Sequence, residues 1–319
     1  MSIGANILAC RTQIVLLTTA NVLADRDDDL RRLVQSVDAF RQNYPDVTVE
    51  HRMLLQCCHD IAAACIRFGF PRDMIVTASP TQVPLSVARN MMLDALLATD
   101  SLALANALVA FPDDDAWFPP GVLEYIYDRF QTDSRLDFWF CRYGSAAGMP
   151  STIDERPSSL QDAISRASSN TIFLRGRILK TIGGFDESLG LGTTAKSGED
   201  TEFAMRAYFA SQEVRHAPYR MIGHRDFDPS IRAKYFPGTV VALGRYAWTS
   251  PQACFAFARK ILVGCALMIK RELSPFDFLR AGQMYFTNKA APNSAEALGR
   301  PSGVQRPRRS NLKDKRRYA

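Results

Sequence analysis

The stretch Ala107-Leu108-Val109-Ala110-Phe111-Pro112-Asp113-Asp114-Asp115-Ala116-Trp117-Phe118-Pro119 decides how this chain is read. Its first five residues form a short apolar run bounded by polar signals, which predicts a buried strand. Three consecutive carboxylates follow, then a proline pair and an amphipathic segment from Gly121 to Phe130. Pro119 or Pro120 suits the first turn of a helix, where a missing N–H is no loss. The acids therefore fall at the end of a central strand, where open α/β sheets place their ligands. Adjacent carboxylates repel one another unless a cation or solvent offsets the charge. Hard divalent cations take carboxylate oxygens, and Mg²⁺ usually shares them with substrate phosphates. A solvated acidic turn capping the next helix would look the same, and this stretch alone does not separate the two readings.

Upstream, apolar runs at Thr12–Thr19, Val47–Leu55 and Met74–Ala78 predict three more strands. Between them lie helical periods at Asp27–Tyr44, Ile61–Arg67 and Val87–Leu97, the last with Ser86 as candidate N-cap. The alternation implies a mostly parallel sheet with helices on both faces. Downstream, strands are expected at Leu136–Arg142, Asn170–Arg175 and a pair, Glu213–Ala217 and Tyr219–Gly223. Short helices are expected at Leu160–Ala167 and Gly176–Ile182, the latter stopped by Gly183-Gly184. Glu199-Asp200 opens a helix through Phe209, where the dipole favours acids.

The 319 residues allow one large domain, or one with an appendage, and 47% hydrophobic with 23% charged residues suits a soluble globular chain. Formal charge is +6, yet Arg300 to Ala319 carries eight Lys/Arg against Asp314 alone, so the remainder is close to neutral. The basic balance describes a tail, not a groove, and nucleic acid is not an expected partner. Seven cysteines without a C-x-x-C pair fit reduced thiols in a cytosolic setting. Met1 to Cys10 has neither the basic nor the long apolar region of a secretory signal.

From about Asp228 the character changes. Ala253 to Ile269 is apolar except for Arg259-Lys260, and its longest uninterrupted apolar run is nine residues. Set against the ~20 residues of a spanning helix, that predicts no transmembrane segment. The segment either packs on the catalytic domain or lies in a membrane interface with Phe255, Phe257, Ile261, Leu262 and Leu267 toward lipid. The basic tail is expected to be disordered, and would add attraction to anionic lipid.

The order of motifs then resembles the family 2 glycosyltransferases of GT-A fold. Leu85-Ser86-Val87-Ala88-Arg89-Asn90 matches an S-x-A-R-N segment, and Asp113-Asp114-Asp115 with Pro119 matches D-x-D with a following proline. Gly183-Gly184-Phe185-Asp186-Glu187 matches a G-G-F-D-E turn, and Glu199-Asp200 matches an E-D pair. The resemblance covers roughly Thr12 to His224. It implies a nucleoside-diphosphate-sugar donor, UDP by default, a divalent cation (Mn²⁺ or Mg²⁺), and inversion at the anomeric carbon.

Carried over residue by residue, the resemblance assigns Asp115 to the metal and Asp113 to the metal or the donor ribose. Asp114 points away unless the frame shifts by one, in which case it contacts the donor. Asp200 is the expected general base, with Glu199 as fallback. Arg89 falls near the nucleotide, and its plain alternative is a surface pair with Asp94. His224, after the last strand, is a candidate metal ligand, and His216 is its weaker rival. Asp186 and Glu187 either shape the acceptor side or hold a turn, and Trp117 either stacks on a sugar or packs. The family's usual segment after the first strand is replaced by Thr18-Thr19-Ala20-Asn21, which makes Thr18 and Asn21 the donor-contact candidates. After the second strand stands Gln56-Cys57-Cys58-His59, with Asp60 late, where an acid would meet uracil.

The expected organisation is a GT-A catalytic domain over residues 1–228, a C-terminal helical membrane-contact region over 229–290 and a basic tail over 291–319. The expected activity is sugar transfer to a hydroxyl of a glycan or lipid-linked acceptor in exopolysaccharide assembly. It would take place in the cytoplasm, peripherally on the inner face of the plasma membrane. The alternative is a catalytically silent sugar-nucleotide or glycan-binding scaffold of such an assembly.

Overall fold

The computed structural model describes residues 13–98, 102–228 and 231–287; the basic tail lies outside them. In chain order the elements begin β1 (Ile14–Asn21), α1 (Asp27–Asn43), β2 (Val49–Gln56), α2 (Ile61–Phe68), β3 (Ile75–Ser79) and α3 (Leu85–Leu97). Then come α4 (Leu102–Asn106), β4 (Leu108–Ala110), α5 (Val122–Thr132), β5 (Leu136–Gly144), β6 (Arg156–Pro157) and α6 (Leu160–Arg166). A 3₁₀ turn at Ser169–Thr171 leads into β7 (Ile172–Arg175), α7 (Gly176–Ile182), α8 (Glu199–Ala210) and β8 (Glu213–Gly223). The described chain closes with α9 (Arg232–Tyr246), α10 (Pro251–Ile269) and α11 (Pro275–Thr287).

The eight strands run β3-β2-β1-β4-β7-β5-β8-β6. The β1–β2, β2–β3, β1–β4 and β5–β8 pairs are parallel, while β7 is antiparallel to both of its neighbours and β6 to β8. Ile14, Leu16 and Ala20 of β1 join Leu30, Val37 and Phe40 of α1 and Ile126 and Phe130 of α5 in one buried cluster. Val15 and Leu17, on the opposite side, are buried as well. A strand covered on both faces reads as a continuous apolar run, which is why β1 and β4 stand out in the sequence.

Several expectations are corrected. Ser86 does not cap α3; the helix begins one residue earlier, and the Ser86 hydroxyl donates to the Leu189 carbonyl at 2.7 Å. Pro119 and Pro120 lie in the turn before α5, whose N-cap is Gly121, not in its first turn. The pair at Glu213–Ala217 and Tyr219–Gly223 is one strand, β8, which crosses Pro218 with shifts of register against β5.

α10 also departs from its expectation. It is 19 residues long and its most apolar 18-residue window has a mean hydropathy of 1.6, long and apolar enough to cross a membrane despite Arg259 and Lys260. Ala253, Ala256, Gly264 and Leu267 are buried, and Phe257 and Ile261 pack beside the Phe236–Val240 cluster of α9. Phe255 and Leu262 are exposed. At helical spacing the five residues assigned to one lipid-facing stripe therefore divide between two faces.

Candidate active site

The acid loop is pinned at both ends. β4 enters through Phe111, whose ring meets Phe185 and Phe203 edge-on at 5.2 and 5.5 Å. After the acids, Trp117 exchanges two backbone hydrogen bonds with Gly223 at the end of β8 (3.0 and 2.9 Å). The Trp117 ring lies so close to Gly223 that an added Cβ would sit 1.9 Å from it. Only glycine admits this approach. Arg32 covers the indole 3.6 Å from its ring centroid, so Trp117 packs and is not free to stack on a sugar.

This bridge delivers His224 to the acids. His224 Nε2 lies 3.0 Å from Asp115 Oδ1 and 3.7 Å from Asp113 Oδ2. One ligand atom from each of Asp113, Asp115 and His224 falls within 4.8 Å of the others. His224 Nδ1 is 2.8 Å from the Arg225 carbonyl, which accepts from an N–H there and leaves Nε2 to face the carboxylates. The Asp115 Oδ1 atom is buried, with no hydrogen bond in line. An imidazole nitrogen, an orphaned carboxylate oxygen and a second carboxylate suit a divalent cation of the Mn²⁺ or Mg²⁺ type, which would take the place of a proton on Nε2. The residues therefore fit the implied metal.

The charges around the loop are unequal. Burial pushes the Asp113 carboxyl up, with Arg89 opposing and Asp200 and Asp115 adding to the rise. Burial and the neighbouring acids push Asp114 up to about 6 against Arg26. Burial also acts on Asp115, but His224, Arg26 and Arg225 outweigh it and hold that carboxyl low. Burial disfavours the His224 imidazolium, yet Asp115 and Asp113 carry its pKa above the ordinary value. Asp114 does not point away into solvent: it accepts from Arg26 on the wall of a cavity of about 290 Å³.

That cavity lies at the carboxyl ends of β1 and β2 and includes Thr19, Asn21, Gln56 and Gln82 beside the three acids. Thr18 is absent from it. Its side chain is fully buried, and its hydroxyl is 3.0 Å from His51 Nε2. Alternation along the strand puts Thr19 and Asn21 on the open side and Thr18 beneath. Asn21 Oδ1 accepts from the Leu23 N–H and Gln56 Oε1 from the Val83 N–H, both at 2.9 Å, so each side chain also shapes the cavity wall. Asp60 is taken up as the N-cap of α2.

A larger cavity of about 600 Å³ opens on the other side of Asp113. Asp200 and Glu199 enter it at the start of α8. Gly198, at φ +97°, caps that helix and lies where a Cβ would meet the Gly238 carbonyl at 2.4 Å, so the first turn sits tight on α9. Asp200 Oδ1 accepts from Arg89 Nη1 at 3.1 Å, and its Oδ2 accepts from the Ser169 N–H at 2.9 Å. Arg89 Nη2 donates to Asp113 at 3.0 Å and to the Ser169 hydroxyl at 2.6 Å. Arg89 is 3% exposed; it is a buried tie between the two acids and does not pair with Asp94. Glu199 is nearly buried, and burial with Asp200 pushes its carboxyl up to about 7 against Arg89.

The remaining motif residues support this geometry from behind. Asn90 holds the Phe185 backbone through both its amide groups (2.7 and 2.9 Å), and the Phe185 ring stacks on Phe203 at 4.0 Å. Asp186 pairs with Arg245 and accepts from the Ser188 N–H, while Glu187 accepts from Asn90. Neither acid lines the large cavity. His216 stacks on Phe140 at 4.9 Å, apart from the metal cluster.

Sequence reasoning missed Arg26, Gln56 as a cavity wall, Tyr143, whose ring meets His224 edge-on at 4.9 Å, and the Ser168-Ser169-Asn170 turn. The polar triplet directly before an apolar strand was the available signal for the last.

No protein-family model matches the chain, and no curated protein does. Solved structures do. The mannosyltransferase PcManGT from Pyrobaculum calidifontis, in complex with GDP-Man and Mn²⁺, matches with a TM-score of 0.51 at 15% identity, over 88% of each chain. The fold is a glycosyltransferase fold. S. aureus TarS 1-349 matches with a TM-score of 0.52 at 16% identity, over 87% of this chain and 74% of that one. The same TarS fragment in complex with UDP gives 0.51 at 17% identity, over 73% of this chain and 65% of that one. The chain spans 55% of the longer TarS structure. At these identities the likeness concerns the glycosyltransferase fold itself.

Proposed function

We propose that the protein is a metal-dependent, inverting glycosyltransferase of family 2 type. It moves a sugar from a nucleoside diphosphate, UDP by default, to a hydroxyl of a glycan or lipid-linked acceptor in exopolysaccharide assembly. One observation carries the reading: Arg89 joins Asp113 of the metal-ligand cluster to Asp200 in the wall of the 600 Å³ cavity. Leaving group and acceptor thus meet at one point.

Thr19, Asn21, Gln56 and Gln82 border the cavity that would take the nucleoside, and Asp113, Asp115 and His224 would hold the cation. When bound, that cation neutralises charge developing on the departing diphosphate. Asp200, whose side chain is 25% exposed, takes the proton of the acceptor hydroxyl. The acceptor oxygen bonds to the anomeric carbon as the bond to the diphosphate oxygen breaks, and this single displacement inverts the centre. Glu199, more deeply buried and with its carboxyl raised, lines the same cavity beside Asp200. The UDP complex of TarS and the GDP-Man and Mn²⁺ complex of PcManGT support a sugar nucleotide as donor.

The exposed Phe255, Leu262 and Ile269 of α10, with Phe276, Leu279 and Phe286 of α11, support peripheral contact with an anionic membrane at its cytoplasmic face. The test is release of nucleoside diphosphate from a panel of UDP- and GDP-sugars with Mn²⁺. Wild type releases it; Asp115→Ala and Asp200→Ala do not. Turnover unchanged in both variants contradicts the assignment.

A further inference from the structure

A second cavity, of about 950 Å³, shares Tyr143, Asp226 and Phe227 with the large catalytic cavity. Four arginines from four elements line it: Arg142 of β5, Arg166 at the end of α6, Arg220 of β8 and Arg232 at the start of α9. One carboxylate, Asp226, lines it with them. Asp226 already accepts from the Ser145 N–H at 3.1 Å and the Ser145 hydroxyl at 2.7 Å, and Arg220 stands 3.9 Å from it. Arg166 pairs with Asp162 at 3.1 Å outside the cavity lining. Among the described residues neither Arg142 nor Arg232 forms an ion pair; the Arg232 guanidinium lies 5.8 Å over the Phe227 ring. Like charges converging on one concavity repel unless an anion sits among them.

A buried neighbour reports the same field. Burial, then Arg166, Arg142 and Arg156, bring the His216 imidazole down to about 4, with Asp162 opposing. Guanidinium groups match phosphate oxygens in planar, paired hydrogen bonds, and several of them outmatch the single charge of a carboxylate.

We propose that Arg142, Arg166, Arg220 and Arg232 bind a phosphate or diphosphate carried by the acceptor, and so hold its hydroxyl-bearing end toward Asp200. This rests on the glycosyltransferase reading above. A phosphate-bearing acceptor reaches the catalytic cavity past Tyr143 and Phe227, the residues the two cavities share, and the donor diphosphate keeps to the metal cluster on the far side of Asp113. The chemistry recognised is the phosphate itself, whether it belongs to a polyisoprenyl carrier or to a soluble phosphorylated glycan.

The test is calorimetric titration of the full chain with inorganic pyrophosphate and with farnesyl diphosphate. Excess EDTA is present, so that metal-held phosphate does not contribute. Wild type binds, Arg142→Ala/Arg220→Ala binds at least about tenfold more weakly, and Arg142→Lys/Arg220→Lys recovers part of the affinity. Both arginines are exposed, so the fold is retained, and unchanged UDP binding with Mn²⁺ in the double variant verifies it. Farnesyl diphosphate binding more tightly than pyrophosphate assigns the phosphate to a lipid carrier; equal affinity assigns it to a soluble acceptor. No binding by wild type, or equal binding by the alanine variant, overturns the proposal. Loss of UDP binding with Mn²⁺ in wild type, with pyrophosphate binding intact and dependent on the arginines, would sink the catalytic reading and leave the anion site standing.

Discussion

His224 Nε2 and Asp115 Oδ1 stand 3.0 Å apart with no hydrogen bond in line, at the point where the ends of β4 and β8 are tied together by Trp117 and Gly223. The pair is an imidazole nitrogen and a carboxylate oxygen, each able to donate an electron pair once the ring has lost its Nε2 proton. A divalent cation is the partner that satisfies both.

Mn²⁺ binding alone therefore depends on this pair. Asp115→Asn and His224→Ala are each expected to weaken Mn²⁺ affinity by at least about tenfold, read as free Mn²⁺ by electron paramagnetic resonance without nucleotide. Wild-type affinity in both variants would remove the cluster from consideration as a metal site.

Asp200 and Glu199 separate by readout. Asp200→Asn is expected to lower the rate of sugar transfer by about 10²–10⁴-fold while the affinity for UDP and Mn²⁺ stays within about twofold, the noise of such a titration. Glu199→Gln keeps most of the rate. The reverse order in steady-state kinetics would make Glu199 the base.

Glu199 also gives a pH signature. Its carboxyl is pushed from 4.5 up to about 7 by burial and Asp200. The folded state then binds that proton more tightly than the unfolded state, so stability is greatest at low pH for this group and is lost as pH rises toward and past 7. Glu199→Gln removes that loss. In EDTA it should stabilise the protein at pH 8.5, by more than it does at pH 5. His216, brought down to about 4, has the opposite sign: its contribution is full above 6.5 and is lost as pH falls toward 4. A Glu199→Gln difference in Tm that is flat from pH 5 to 8.5 contradicts the burial of this carboxyl.

Much of this was readable in the residues. Strands β1 and β4 are buried on both faces and show as unbroken apolar runs, so the sheet and the place of the acids at its carboxyl edge follow directly. The same feature hid the choice between Thr18 and Thr19. A run buried on both sides carries no alternation, and the side facing the cavity is fixed only by pairing with β2, where Thr18 meets His51. The run Ile172-Phe173-Leu174 gives no strand direction, so the antiparallel placement of β7 needed the structure. Arg26, Ser169 and Tyr143 reach the site from distant loops and strand ends, and no local pattern marks them. In α10, hydrophobicity all round the helix left its packed face to be chosen by Phe236 and Val240 of α9.

Gly223 is the residue on which the site geometry turns. Gly223→Ala would drive a methyl into the Trp117 ring, with an expected loss of about 1–3 kcal/mol and weaker Mn²⁺ binding, because His224 moves with it. Thermal unfolding and the same Mn²⁺ titration check both effects. An alanine variant with wild-type stability and metal affinity would show that the Trp117–Gly223 bridge does not position the cluster.

The most direct measurement is calorimetric titration of UDP, with and without Mn²⁺, on wild type and on Asp115→Ala. The account predicts that Mn²⁺ tightens UDP binding by wild type and brings no such gain in the variant. Wild type silent toward both UDP and GDP with Mn²⁺, or a variant that binds as tightly as wild type, would contradict it.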